Sequence, residues 1–171
     1  MSINVVLYEP EIPQNTGNIM RTCVATNSIL HLIKPLGFSL NQSKLKRSGV
    51  NYIDKLIYHV YEDFEDFLSK NQGEFYFFTR YGLNNFHSLK LKDTQINYYF
   101  FIGKESTGIP KEILRRYLER CVRLPMTDNV RSLNISNVAA IAIYEALRQQ
   151  DYPGLSNFEP ESMKGKDFLL K

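Results

Sequence analysis

The stretch Tyr98-Tyr-Phe-Phe-Ile-Gly-Lys-Glu-Ser-Thr-Gly108 joins a continuous apolar run to a polar loop framed by two glycines. An apolar run without polar alternation is typical of a strand buried on both faces of a sheet. Similar runs recur along the chain, and the predicted strands are Ile3–Tyr8, Ile29–Ile33, Leu56–Val60, Phe75–Phe78, Tyr98–Ile102 and Val122–Leu124. Segments of helical periodicity separate them, so the order predicts an α/β fold with a mostly parallel sheet flanked by helices.

The predicted helices are Thr16–Thr26, Asp63–Lys70, Lys111–Glu119 and Asn134–Gln150. The last helix carries alanines on its apolar surface, which permits close approach to a neighbour either within the chain or across a subunit interface. A chain of 171 residues fits one domain. We expect that domain to span residues 1–152, followed by a loosely ordered tail over residues 153–171.

Composition limits the class of protein. Hydrophobic residues make up 43% and charged residues 23%, as in an ordinary folded domain. No apolar run approaches the length of about 20 residues that spans a bilayer, and no signal peptide is visible, so a cytoplasmic protein without membrane contact is expected. Cys23 and Cys121 lack CxxC spacing and a histidine cluster, which favours buried free thiols over a metal site or a disulfide.

The charge pattern permits RNA binding without requiring it. The formal net charge is +3, and positive residues gather at Lys44-Leu-Lys-Arg47 and at Lys111, Arg115, Arg116, Arg120 and Arg123. Such clusters can neutralise phosphates. A solvated helix face that mixes in Glu112 and Glu119 is an equal alternative.

Unusual residues gather in three loops that follow predicted strands: Glu9–Asn18 (the first loop), Gly103–Gly108 (the middle loop) and Pro125–Ser132 (the third loop). Ligands of open parallel sheets bind at the carboxyl ends of the strands, so these loops are candidates for one site. The middle loop alone is as typical of an ordinary connection. Neither GxGxxG nor GxxxxGK[ST] occurs, which leaves a dinucleotide enzyme as a distant alternative.

Taken in order, three segments resemble the SPOUT methyltransferases over nearly the whole chain: Asn15-Thr-Gly-Asn18 with Arg21, Phe101–Pro110, and Leu124-Pro-Met126 with Arg131–Asn137. Within that superfamily, Val6–Arg21 and Tyr144-Glu-Ala-Leu-Arg148 are similar to the tRNA wobble-nucleotide 2′-O-methyltransferases of the TrmL type. The resemblance implies a deep C-terminal trefoil knot, a homodimer and S-adenosylmethionine as methyl donor. The implied substrate is the anticodon stem-loop of tRNA, methylated on the ribose of cytidine or uridine 34, chiefly in leucine tRNAs.

The resemblance also implies roles for individual residues. The implied catalytic residues are Arg21, Asn15 and Tyr144. Arg21 would hold a phosphate next to the target ribose and help to activate the hydroxyl, Asn15 would orient that hydroxyl, and Tyr144 would contact the RNA or its reacting ribose. Because a guanidinium stays protonated, phosphate binding and charge stabilisation suit Arg21 better than proton abstraction. The implied cofactor-binding residues are Phe78, Gly103, Glu105, Leu124, Ser132, Leu133 and Asn134.

Each of these residues also has a structural interpretation. Arg21 can be a surface arginine, Gly103 and Leu124 can serve turn and core packing, and Glu105 can order its own loop. Asn134 and Ser136 can cap the last helix, and Tyr144 can be a core aromatic. The remaining tyrosines and phenylalanines are expected in the core, and His31, His59 and His87 at structural or surface positions.

Two other functions remain open. One is the same chemistry on another RNA, such as ribosomal RNA, and the other is a non-catalytic α/β RNA-binding module. For a tRNA substrate, the residues expected to anchor the anticodon stem are Lys44, Lys46, Arg47, Arg115, Arg116 and Arg120. The turn Thr79-Arg-Tyr-Gly82 departs from the resemblance, because its Arg-Tyr pair is bulkier than the turn expected there.

Overall fold

A computed structural model describes residues 2–40 and 52–170. One sheet contains the seven strands Ile3–Tyr8 (β1), Ile29–Ile33 (β2), Tyr58–Tyr61 (β3), Glu74–Phe78 (β4), Asn84–Asn85 (β5), Tyr98–Ile102 (β6) and Cys121–Arg123 (β7). The α-helices of the described part are Pro13–Ala25 (α1), Phe64–Lys70 (α2), Lys111–Arg116 (α3) and Ile135–Gln149 (α4). The strand order is β3-β2-β1-β6-β4-β7-β5 and every pair is parallel, which confirms the predicted parallel sheet flanked by helices.

Strand β6 lies at the centre because its apolar side chains are buried on both faces. Phe100 belongs to the core shared with α1 and α4, whereas Phe101 belongs to the core on the opposite face, where it meets Phe67 of α2. All five residues of β6 are buried. Continuous burial of this kind is what both faces of a helix-covered parallel sheet require.

The alanine-rich face of α4 is used within the chain. Ala139, Ala142 and Ala146 are fully buried, and α4 packs against α1, β1 and β6. Small side chains let the helix lie close to its neighbours, so intrachain packing accounts for them. The outer positions of α4, which include Ile141 and Tyr144, are exposed.

Element boundaries differ from the sequence prediction where the local signal is weak. Helix α1 begins at Pro13, three residues before the predicted start, because a proline with its preset φ suits the first turn of a helix. Helix α3 ends at Arg116 instead of Glu119, and a short 3-10 turn over Leu118–Arg120 follows. Strand β5 was not predicted, since Asn84 and Asn85 carry no apolar pattern.

A buried polar cluster lies on the α2 face of the sheet. The ring of His31 forms hydrogen bonds with the Tyr61 hydroxyl (2.8 Å) and the Asn4 side-chain oxygen (3.0 Å). Burial, with the neighbouring charge of His59, lowers the pKa of His31 to about 3. The prediction that His31 is structural is therefore confirmed. Cys23 and Cys121 are buried free thiols, as predicted.

Residues 153–170 form turns and a 3-10 helix over Phe168–Leu170. Leu155 packs against the core, whereas Phe158, Met163 and Leu169 are exposed. Among the described residues, no helix has the length and apolar character needed to cross a membrane.

Candidate active site

A cavity of about 390 Å³ lies where β4, β6 and β7 end, and all three loops contribute to its wall. Eight of the ten predicted site residues line it, namely Asn15, Phe78, Gly103, Glu105, Leu124, Ser132, Leu133 and Asn134. Parallel strands bring their carboxyl ends to one edge of a sheet, which explains why residues far apart in sequence meet here. The predicted convergence of the three loops is confirmed.

Glu105 joins the middle loop to the first loop. Its carboxylate accepts hydrogen bonds from the backbone N–H groups of Glu11 (2.9 Å) and Ile12 (3.2 Å). These groups stand at the start of α1, whose N-cap residue Ile12 offers no side-chain cap. A carboxylate there satisfies free N–H groups and lies at the positive end of the helix dipole. The expectation that Glu105 orders its own loop is wrong, because it serves the neighbouring one.

Glu11 of the first loop in turn binds the middle loop. Its carboxylate accepts hydrogen bonds from the Ser106 backbone N–H (2.9 Å) and hydroxyl (2.8 Å), which lower the pKa of Glu11. Lys104 and Glu9 form a further ion pair of 2.7 Å, and this bond raises the pKa of Lys104. The two loops are thus tied by three separate carboxylates.

Asn15 and Asn134 extend the connection to α4. The Asn15 amide donates to Glu105 Oε1 at 3.0 Å, and its oxygen accepts from Asn134 Nδ2 at 2.9 Å. The Asn134 oxygen accepts from the Ser136 backbone N–H at 2.8 Å, so Asn134 is the N-cap of α4 as expected. A continuous chain of polar contacts, Glu105 to Asn15 to Asn134, therefore holds the cavity wall together.

Gly103 is required by the packing of the middle loop. A Cβ atom at this position would lie 2.3 Å from the carbonyl carbon of Gly108. The loop closes through a hydrogen bond from the Gly108 N–H to the Lys104 carbonyl (2.9 Å), with Gly108 at a φ of +76°. Only glycine adopts such a backbone without strain. The same close packing makes Gly103 part of the cavity wall.

The rest of the wall combines apolar side chains with polar and basic ones. Phe78 and Leu124 are buried, Leu133 is partly buried, and Arg80 and Arg131 are polar members of the lining. Apolar walls with a few polar groups and accessible backbone are typical of sites for small organic ligands. Among the described residues, no group of histidine, cysteine and carboxylate side chains could hold a metal ion.

Arg21 and Tyr144 do not line the cavity of their own chain. Arg21 is exposed on α1, where its Nε donates to the Tyr52 hydroxyl (3.4 Å) and its guanidinium lies 5.3 Å from the Tyr52 ring centre. Tyr144 is 47% exposed on α4, so the interpretation as a core aromatic is wrong. The contact with Tyr52 could not be predicted from local pattern, because 31 residues separate it from Arg21.

The residues predicted to anchor RNA differ in whether they form ion pairs. Arg116 forms an ion pair with Glu65, and Arg120 forms one with Glu74. Arg115 is exposed and forms no ion pair with a described residue. Lys44, Lys46 and Arg47 lie outside the described residues.

The prediction that the remaining tyrosines and phenylalanines lie in the core is wrong for three of them. Tyr81, Phe158 and Phe168 are more than half exposed, and Tyr81 lies in the cavity lining.

Comparisons with known proteins agree with this geometry. The model of the SpoU rRNA Methylase family matches residues 2–144. A protein of Geobacillus stearothermophilus, provisionally named a tRNA (cytidine(34)-2′-O)-methyltransferase, is 50% identical over 157 residues, covering 91% of this chain and 100% of the relative.

Two solved structures are similar along most of the chain. A provisionally named RNA methyltransferase from Bacillus anthracis has a TM-score of 0.90 at 49% identity, with 93% of this chain and 100% of that chain covered. A structure described as giving insights into the 2-OH methylation of C/U34 on tRNA has a TM-score of 0.79 at 37% identity, with 88% and 97% covered.

Proposed function

The chain belongs to the SpoU rRNA Methylase family, and on that basis we propose that it transfers a methyl group from S-adenosylmethionine to the ribose 2′-hydroxyl of cytidine or uridine 34 in tRNA. The names of its relatives support the substrate. The observation that carries the proposal is the cavity formed by three loops that a network of side-chain contacts holds together.

The cavity suits S-adenosylmethionine in size and character. Its volume of about 390 Å³ lies within the range of small-ligand pockets, roughly 300–1,000 Å³. Phe78, Leu124 and Leu133 would enclose the adenine, while the turn at Gly103 and the backbone near Ser132 would offer hydrogen-bonding groups. When bound, the cofactor supplies an electrophilic methyl group on a sulfonium. The chain's own task is then to align the ribose hydroxyl.

We assign the alignment to Arg21, through the phosphate next to the reacting ribose. A guanidinium holds phosphate oxygens in a fixed geometry and stabilises developing negative charge nearby. Asn15 donates to Glu105 and accepts from Asn134, and these two bonds hold the first turn of α1, the helix that carries Arg21. Tyr144 would face the RNA from α4.

A homodimer accounts for the separation of Arg21 from the cavity of its own chain. Helices α1 and α4 pack side by side, so their exposed positions form one surface. That surface contains Gln14, Asn18, Arg21 and Ala25 of α1, and Asn137, Ile141, Tyr144 and Arg148 of α4. Association through it would bring Arg21 of one subunit to the cofactor site of the other.

We also propose the trefoil knot implied by the family resemblance. Strand β7 pairs with β4 on one side and β5 on the other, so residues 79–83 must cross the end of β7. The crossing is tight, since the Thr79 N–H donates to the Val122 carbonyl (3.0 Å) and a Cβ on Gly82 would lie 2.4 Å from the carbonyl carbon of Val122. In the proposed knot, the chain after β7 would pass beneath this crossing on its way to α4.

We take residues 1–152 as the catalytic domain and residues 153–171 as a tail outside it. A tRNA substrate would place the enzyme in the cytoplasm.

The deciding experiment is transfer of labelled methyl groups to total RNA, followed by mapping of the modified nucleotide. Unmodified tRNA-Leu should accept one methyl group on the ribose of nucleotide 34. Label found only in ribosomal RNA would favour the alternative substrate, and absence of both transfer and S-adenosylhomocysteine binding would favour a non-catalytic RNA-binding module.

The dimeric site has its own test. Arg21→Ala and Ser132→Trp subunits are each expected to be inactive, whereas mixed subunits should regain part of the activity because one intact site survives in the heterodimer. Lack of any recovery would argue for sites within one chain.

A further inference from the structure

The turn Thr79–Gly82 presents an aromatic side chain at the opening of the cavity. Tyr81 is 67% exposed and still belongs to the cavity lining. A tyrosine ring normally gains stability from burial, so an exposed ring at a ligand site points to a contact with something that binds there.

The backbone of this turn is firmly held. The Tyr81 N–H donates to the Thr79 hydroxyl (3.3 Å) and the Gly82 N–H donates to the Thr79 carbonyl (3.2 Å). Arg123 donates to the Arg80 carbonyl, and Gly82 rests against the backbone of Val122. A ring on a fixed turn has only its own two side-chain torsions to order on binding, which keeps the entropic cost low.

A cationic side chain lies against the ring, and a second one lines the same cavity. The Arg80 guanidinium lies 4.8 Å from the Tyr81 ring centre, and Arg131 stands in the same cavity lining. Within residues 2–40 and 52–170, neither arginine forms an ion pair. An exposed aromatic ring beside uncompensated cations is the combination with which proteins bind single-stranded nucleic acid, since bases stack on the ring and phosphates meet the cations.

We propose that Tyr81 is a stacking platform for an unpaired base of the RNA substrate next to the nucleotide being methylated, with Arg80 and Arg131 attracting the adjoining phosphates. This site rests on the proposed function, because its ligand is the loop of that RNA. The platform lies outside the residues assigned to the cofactor and on a different element from Arg21.

The absence of tryptophan from the chain gives a direct test. A Tyr81→Trp protein carries one tryptophan, which can be excited selectively in the presence of the tyrosines. Its fluorescence is quenched when a base stacks on it. Phe158→Trp is the matched control, because Phe158 is 72% exposed in the tail and does not line the cavity. An anticodon stem-loop RNA should quench Tyr81→Trp by at least about half and leave Phe158→Trp nearly unchanged.

Two results would overturn the proposal. Equal quenching of both proteins would mean that Tyr81 has no particular contact with RNA. Quenching by S-adenosylhomocysteine alone, with no further change on adding RNA, would mean that the ring covers the cofactor instead.

Steady-state kinetics separate stacking from a structural role. Tyr81→Ala should raise KM for the RNA about tenfold with a smaller change in kcat, whereas Tyr81→Phe should stay near wild type because the ring remains. S-adenosylhomocysteine affinity should be the same in all three proteins. If the wild type transfers methyl groups and Tyr81→Ala has an unchanged KM for the RNA, the stacking platform is refuted. If the wild type transfers no methyl group, the proposed function itself is refuted.

Discussion

The side-chain amide of Asn134 donates a 2.9 Å hydrogen bond to the side-chain oxygen of Asn15, which lies 119 residues earlier in the chain. Asn134 caps α4 with its own oxygen, and Asn15 is in turn held by Glu105. The starts of α1 and α4 are therefore fixed relative to each other and to the middle loop. Substitutions at Asn15, Glu105 or Asn134 should therefore alter the proposed cofactor site.

Replacing Asn134 separates its two roles. Asn134→Ser should keep the helix cap but lose the bond to Asn15, so we expect S-adenosylhomocysteine to bind several-fold more weakly with about 1 kcal/mol or less of lost stability. Asn134→Ala should lose both and cost roughly 1–2 kcal/mol. Calorimetric titration and urea unfolding measure the two quantities. Equal cofactor affinity in the wild type and both variants would contradict the role of this bond.

Glycine substitutions test the packing of the middle loop. Gly103→Ala should abolish cofactor binding, since its Cβ would fall 2.3 Å from the Gly108 backbone. Gly108→Ala and Gly154→Ala form a matched pair, with φ angles of +76° and +74° and open space around each. Each substitution should lower the free energy of unfolding by about 1–2 kcal/mol, because alanine is strained in the left-handed backbone conformation. Only Gly108→Ala should also weaken S-adenosylhomocysteine binding, and equal affinity in the pair would speak against this prediction.

Arg21 should affect turnover without affecting cofactor affinity, because its proposed role is to hold the phosphate next to the reacting ribose and not to bind the cofactor. Arg21→Lys keeps the charge but loses the planar guanidinium and its contact with Tyr52. We expect kcat to fall at least about a hundredfold, as for loss of one strong charge-stabilising contact. A fluorescent cofactor analogue should bind unchanged. Activity within a factor of two of wild type would reduce Arg21 to a surface residue.

His31 should make stability depend on pH. Its pKa is about 3 in the folded state, below its ordinary value of 6.5, because burial disfavours the charged ring. As pH falls below 6.5, the unfolded chain takes up a proton that the folded chain does not. The contribution of His31 to the free energy of unfolding is therefore complete above pH 6.5 and is lost as the pH falls towards 3. The free energy changes by at most about 1.4 kcal/mol per pH unit.

Urea unfolding between pH 7 and pH 5 measures this slope, before most carboxylates titrate. His31→Gln should flatten it, whereas His87→Gln, at an exposed position, should leave it unchanged. Identical slopes in wild type and His31→Gln would exclude His31 as the cause.

Neighbouring arginines on α3 should differ in RNA binding. Arg116 is paired with Glu65, whereas Arg115 forms no ion pair within the described part of the chain. Arg115→Ala should weaken tRNA binding and reduce the slope of log affinity against log salt by about 1, as for one lost phosphate contact. Arg116→Ala should change the slope less. Filter-binding titrations across salt concentrations would show this, and the reverse order would be evidence against α3 as the anchoring face.

Much of the fold follows from patterns visible in the sequence. The apolar runs of β1, β2 and β6 coincide with the predicted strands, because burial on both faces leaves a continuous signal. The loops of the site were predicted from the order of their motifs, and eight residues meet in the cavity as expected. Local pattern could not reveal β5, which is polar and two residues long.

The contacts within the site were harder to predict than its members. Glu105 binds the first loop, and Arg21 lies against Tyr52, because the fold brings together segments separated by 93 and 31 residues. Tyr81 was expected in the core from its residue type alone. Its exposure depends on a turn fixed by Val122, which no local pattern encodes.

The strand pairing also has a consequence for biosynthesis. Ile3 of β1 pairs with Tyr98 of β6, and β7 must take its place between β4 and β5 after both have been made. Contacts so distant in sequence require large loops to close, which slows folding. On the ribosome, β1 cannot pair with β6 until Tyr98–Ile102 has been made, and the three loops can meet only after Ser132 has been made. Chains released early should therefore expose β1 and β2 without their central neighbour and depend on chaperones or be degraded.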